Sequence, residues 1–123
     1  MRRNIVILTL LGATAGCSFI ARGEDQYRTD TRTLLETRNA QIKSCYDQQL
    51  ASSPNASGNV IVEFTVEKKT GTLSNIHATE ASTAPAPVQD CVVQALEGLQ
   101  LTPEDRRDGQ ATFTYTFTAP GGA

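Results

Sequence analysis

Three cysteines, Cys17, Cys45 and Cys91, are the residues of this 123-residue chain best able to form covalent bonds. An odd number in an exported protein leaves one sulfur to be explained. Cys17 lies in the stretch Gly12-Ala13-Thr14-Ala15-Gly16-Cys17-Ser18, which can be cut in two ways. Ala13-Thr14-Ala15 reads as an A-x-A site for ordinary secretion. Thr14-Ala15-Gly16-Cys17 reads as a lipobox, with Cys17 as the first mature residue and the point of lipid attachment. The thiol favours the lipobox, because cleavage after Ala15 would leave Cys17 unpaired and exposed in an oxidising compartment. Thr14 departs from the Leu that bacterial lipoproteins usually carry there. The single histidine, His77, has Glu80 nearby in sequence but lacks the partners of a triad or of a metal site. Glu63, Glu67 and Glu80 read as solvated carboxylates on a sheet surface. No CxxC motif is present, so Cys45 and Cys91 read as structural. We therefore expect no enzyme, no cofactor and no metal site.

The segment before Cys17 supports export. Arg2 and Arg3 precede a short apolar core, Ile5 to Leu11, followed by small residues. That is the pattern of a secretory signal, and it is shorter than the roughly 20 apolar residues of a spanning helix. Removing residues 1–16 leaves 107 residues and moves the formal net charge from −2 to −4. One modest, mildly acidic domain follows. Without a basic stripe, the electrostatic footprint of a nucleic-acid partner is missing. Residues 17–30 are polar with little periodicity and read as a short lipid-anchored tether, with the domain over residues 31–119 and a tail over 120–123. Ser18 lacks the acidic residue that retains some lipoproteins at the inner membrane. An outer-membrane position facing the periplasm is favoured.

Periodicity predicts the elements. Leu35, Ile42, Cys45, Tyr46 and Leu50 recur at helical spacing, and Pro54 and Gly58 end that helix. Val60, Val62, Phe64 and Val66 alternate with Ile61, Glu63 and Thr65 in a strand. Gly71 turns the chain into a more polar strand from Leu73 to about Ala81. Val88, Cys91, Val92, Ala95, Leu96 and Leu99 mark a second helix that Gly98 and Pro103 close. Ala111, Phe113, Tyr115 and Phe117 then alternate with Thr112, Thr114, Thr116 and Thr118 in the last strand. The order helix, strand, strand, helix, strand predicts an α+β domain with two helices on one face of a three-stranded antiparallel sheet. Cys45 and Cys91 each lie on the stripe of a helix covering that sheet, which predicts a disulfide between them.

Ile42-x-x-Cys45-Tyr46, then Gly58 with Val60, Val62, Phe64 and Val66, then Gly71 and Leu73, then Cys91, then Phe113 to Phe117 form an ordered set. The set resembles the TonB C-terminal superfamily, and within it the AgmX/PglI C-terminal domain branch. Two departures stand out. The Trp-(R/K)-Phe-type segment that commonly ends the second helix is replaced by Leu99-Gln100-Leu101, and the chain has no Trp. The N-terminal membrane helix and Pro-rich arm of the energy transducers are replaced by the lipobox and tether. The resemblance implies the fold and a non-catalytic interaction domain in the cell envelope. It also implies peptide capture by strand addition beside the last strand, with Thr112, Thr114, Thr116 and Thr118 as the docking edge for an envelope protein or peptide. The alternative is a structural, self-associating lipoprotein whose edge pairs with a second copy in a homodimer.

Overall fold

A computed structural model describes residues 22–119. Cys17, the export signal and the tail at 120–123 lie outside the described residues. Helices α1 (Glu24–Glu36) and α2 (Asn39–Ser52) precede strands β1 (Gly58–Val66) and β2 (Leu73–Ala78), helix α3 (Ala86–Leu96) and strand β3 (Gly109–Phe117). The strands form one antiparallel sheet in the order β2-β1-β3. This is the expected α+β arrangement, with the first helical region divided in two.

Alternation in β1 decides which face is covered. Val60, Val62, Phe64 and Val66 are all buried, and their β3 partners Tyr115, Phe113, Ala111 and Gly109 share that face. Helices supply the opposing wall through Leu35, Ile42, Val88, Val92 and Leu96. The Ile-x-x-Cys-Tyr spacing puts three consecutive uses on one side of α2. Ile42 enters the core, Cys45 bonds to Cys91, and Tyr46 stacks on Phe117 at 4.9 Å while its hydroxyl donates to the Ala56 carbonyl. The disulfide joins α2 to α3, with Cα atoms 5.7 Å apart and a sequence separation of 46. Closing a loop of that length contributes about 4 kcal/mol in the chain-entropy model. Gly71 has φ +74°, and a Cβ there would collide with the Leu101 carbonyl. Its own carbonyl accepts from the Leu101 amide at 2.7 Å, which seats the 99–101 segment on the hairpin turn.

The stretch read as a tether differs from expectation. It is helical from Glu24, and Arg22 is already buried. Tyr27, Thr31, Leu34 and Leu35 recur at helical spacing and form a narrow inward stripe, with charged and polar residues elsewhere masking the pattern. The expected single helix also breaks. The amides of Thr37 and Arg38 bond back three residues to Leu34 and Leu35, tightening the last turn and ending α1 before α2 begins.

Candidate partner-binding edge

In an antiparallel ladder, alternate residues direct both backbone groups to the same side. On β1, Asn59 and Ile61 turn theirs toward β2: the Ile61 carbonyl accepts from Thr79, and the Asn59 carbonyl from Thr83 and Ala84. Val60, Val62, Phe64 and Val66 therefore face β3, where their partners are Tyr115, Phe113, Ala111 and Gly109. It follows that Gln110, Thr112, Thr114 and Thr116 direct their N–H and C=O groups away from β1. No described strand pairs with that side. The threonine side chains, with Thr118 just beyond the strand, are exposed on the sheet face opposite the helices. The candidate edge thus presents a bare backbone ladder and a row of hydroxyls on the same residues.

The second edge of the sheet is different. β2 is only six residues long, and its pairing with β1 is irregular where Asn75, with φ +57°, is inserted opposite Phe64. Its outward groups begin occupied, since the Leu73 amide donates to the Leu99 carbonyl and Thr72 bridges to Gln100. A bulge and a covering segment are recognised ways to blunt an edge.

Beside β3, helix α1 stands off to leave a slot of about 440 Å³. Its helix wall comprises Glu24, Tyr27, Arg28 and Thr31, and its strand wall runs from Asp108 to Phe113. The absence of a side chain at Gly109 is a requirement of this arrangement, because a Cβ there would strike the Tyr27 ring. Phe113, Tyr115 and Phe117 remain only half-buried. Burial, reinforced by the charge of Glu36, pushes the Tyr115 phenol up to about 12. Burial and then Asp105 push Tyr27 upward as well. Both phenols stay protonated at neutral pH, and both hydroxyl oxygens are buried without a hydrogen-bond partner among the described residues.

A buried ion cluster holds the start of this unit. The Arg22 side chain is 1% exposed and that of Asp105 0%. The Arg22 amide donates to Asp105 at 2.8 Å, its Nε to Asp30 at 2.6 Å and its Nη2 to the Pro103 carbonyl at 2.8 Å. Arg107 completes the cluster by donating to the Arg22 carbonyl at 2.8 Å. Burial opposes ionisation of Asp105, but the amides of Arg22, Arg107 and Arg106 and the Arg22 guanidinium outweigh it. Together they hold the carboxyl below its ordinary value.

The remaining sequence candidates separate from this edge. Cys45 and Cys91 are bonded to each other on the helical layer. His77 lies exposed on β2, 3.2 Å from Glu63 and 2.8 Å from the Asn75 carbonyl. Among the described residues, no group of three or more His, Cys, Asp or Glu side chains is placed to hold a metal. None of their helices is long and apolar enough to cross a membrane. Arg22, Tyr27, Asp105 and Gly109 were not legible as site residues. The spacing of Tyr27, Thr31 and Leu35 was the one local signal available.

No protein-family model matches the chain, and no curated protein matches it. Among solved structures, it is similar to the solution NMR structure of the TonB C-terminal domain of Helicobacter pylori. The match has a TM-score of 0.58 at 15% sequence identity and covers 88% of this chain and 95% of that one. At that identity the likeness shows the fold, and the fold is TonB-C-terminal-like.

Proposed function

We propose that this chain is a bacterial envelope lipoprotein, anchored through Cys17, whose domain captures an extended segment of another envelope protein by adding it as a fourth strand beside β3. The outward backbone groups of Gln110, Thr112, Thr114 and Thr116 carry this reading: they form a four-residue ladder with nothing paired to it among the described residues. Strand addition uses such a row for affinity and the alternating pockets for specificity. No catalytic step is required. The AgmX/PglI-like arrangement of Ile42, Cys45, Tyr46 and Cys91 supports the family assignment within the TonB-C-terminal-like fold, and the lipobox supports an anchored, periplasm-facing position at the outer membrane.

The test is a photoreactive residue in place of Thr114 in the full chain, cross-linked in intact membranes. Capture of one envelope protein, mapped to a short extended segment, is the expected result. The anchor is tested separately: globomycin and Cys17→Ser should each block processing, and unaltered processing in both would remove it. A second reading is favoured by the symmetry of the edge itself. A two-fold axis at Thr114 would set Thr112 against Thr116 of a second copy, and Thr–Thr cross-strand pairs are favourable. Cross-links only to itself, together with a stable dimer by light scattering, would establish that reading instead.

A further inference from the structure

We infer that the slot between α1 and β3 selects an extended segment bearing an aromatic side chain with a carboxylate two residues to either side. This rests on the strand-addition reading and adds to it the chemistry of the strand that is captured. Gln110 and Thr112, the first outward-facing residues of the ladder, also line the slot, so a chain paired to them runs along it. Side chains of that chain alternate between two faces. One set would lie beside the threonine row, and the other would turn toward α1.

On the α1 side the floor is Ala111 and Phe113, and the wall is Tyr27 and Thr31. A volume of about 440 Å³ is at the small end of the roughly 300–1,000 Å³ of ligand pockets, which suits one large side chain rather than a succession of them. Phe113 already stacks on Phe64 with centroids 6.2 Å apart and planes 8° from parallel, while remaining half-buried. A partner ring laid on Phe113 continues that stack and covers the half-exposed face.

Charge defines the flanking positions. Arg28 and Arg32 are exposed and one helical turn apart on α1. The Arg32 guanidinium lies over the Phe113 ring, 5.9 Å from its centroid, so a partner ring reaches Phe113 as this exposed side chain swings aside, which frees its charge for a flanking carboxylate. Arg28 meets only Asp25, at 3.3 Å with the carboxylate 98% exposed, and Arg32 makes no ion pair among the described residues. Glu24 and Asp108 belong to the other end of the slot, at the starts of α1 and β3, and bound the basic stretch there. In an extended chain, residues two before and two after the aromatic share its face, about 7 Å away on each side. Carboxylates there come within reach of the two arginines.

The experiment measures fluorescence anisotropy of labelled heptapeptides on the full-length chain in detergent micelles. The probe is Thr-Asp-Thr-Phe-Thr-Asp-Thr, compared with versions carrying Ala for Phe or Lys for both Asp. We expect the probe to bind about tenfold tighter than the Lys version, the scale of two solvent-screened ion pairs. Arg28→Glu combined with Arg32→Glu should reverse that order, and the Ala version should bind weakly to both proteins. Equal binding of all three peptides, with loss of binding when alternate peptide nitrogens are methylated, would overturn the slot's selectivity while keeping strand addition. Absence of binding, or binding indifferent to N-methylation, would overturn strand addition itself. Both readouts are made on the peptide, so the conclusion stands even where an arginine variant folds poorly.

Discussion

The two halves of the helical layer hold the same sheet by different means. α3, tied to α2 by the Cys45–Cys91 bond, covers β1 and β2, where Val60, Val62, Val92 and Leu96 have no exposed surface. α1 lies beside β3 through Leu35, a half-buried Tyr27 and the Arg22–Asp105 cluster, with a slot left open along the strand. One half is aliphatic and covalently tied. The other is aromatic, partly uncovered and held by charge, and it is the half with the bare ladder. Rigidity and accessibility have been divided between them. The covalent half supplies a fixed central strand, and the electrostatic half keeps the surface on which a partner can be built.

Removing one charge of the cluster should produce the largest effect. Arg22→Ala leaves the buried Asp105 with only the exposed Arg107 guanidinium, 3.9 Å away, as counter-ion, a change at the lower end of the range of about 3–5 kcal/mol typical of breaking a buried pair. Urea unfolding with the disulfide intact should show it, and Arg22→Met with Asp105→Asn, which keeps an acceptor for the Arg22 and Arg107 amides, should recover part of the loss. A single variant within about 0.5 kcal/mol of the parent, the range of ordinary surface changes, would mean that charge does not hold this half. On the covalent side, Cys45→Ala with Cys91→Ala should lower unfolding free energy by about 4 kcal/mol or less, because engineered losses often fall short of the chain-entropy value. Peptide binding at β3 should survive it under conditions where the domain remains folded.

Gly109→Ala should cost about 1–3 kcal/mol by overpacking against Tyr27, read from the thermal midpoint. Acid sharpens the contrast further. Asp105 has its carboxyl lowered on folding, so between the folded and unfolded values the unfolded chain binds more protons. Its contribution is present above the ordinary carboxylate value near 4 and is lost as pH falls through the lower, folded value. The parent should therefore lose stability below about pH 4, and the Arg22→Met, Asp105→Asn variant should show a shallower decline. His77→Ala, at an exposed pair on the far side of the sheet, should change stability by less than about 0.5 kcal/mol.

This division also governs what could be read beforehand. The strands of both halves were legible because Val60 to Val66 and Ala111 to Phe117 alternate without interruption. The disulfide was legible because each cysteine falls on an apolar stripe. α1 was not, since its inward stripe contains a tyrosine and a threonine among charged neighbours. Thr31 is nonetheless buried, its hydroxyl donating to the Tyr27 carbonyl one turn earlier at 2.7 Å. The Arg22–Asp105 contact joins residues 83 apart, and no local pattern encodes it. Likewise the slot arises from the separation of two elements, a quantity that side-chain periodicity does not carry. The threonine row was correctly placed as a solvent-facing set, but its coincidence with the outward backbone groups required the register of β1 against both neighbours.

The blunting of β2 by Asn75 and by the 99–101 segment has a consequence for stoichiometry. A sheet open at both margins can recruit at each of them and propagate without limit, as fibrils do. With a single serviceable margin, pairing between copies stops at two, because a twin joined at β3 leaves only blunted β2 margins on the outside. A foreign segment joined there brings an outer row of its own, so the length and shape of that segment set where addition stops.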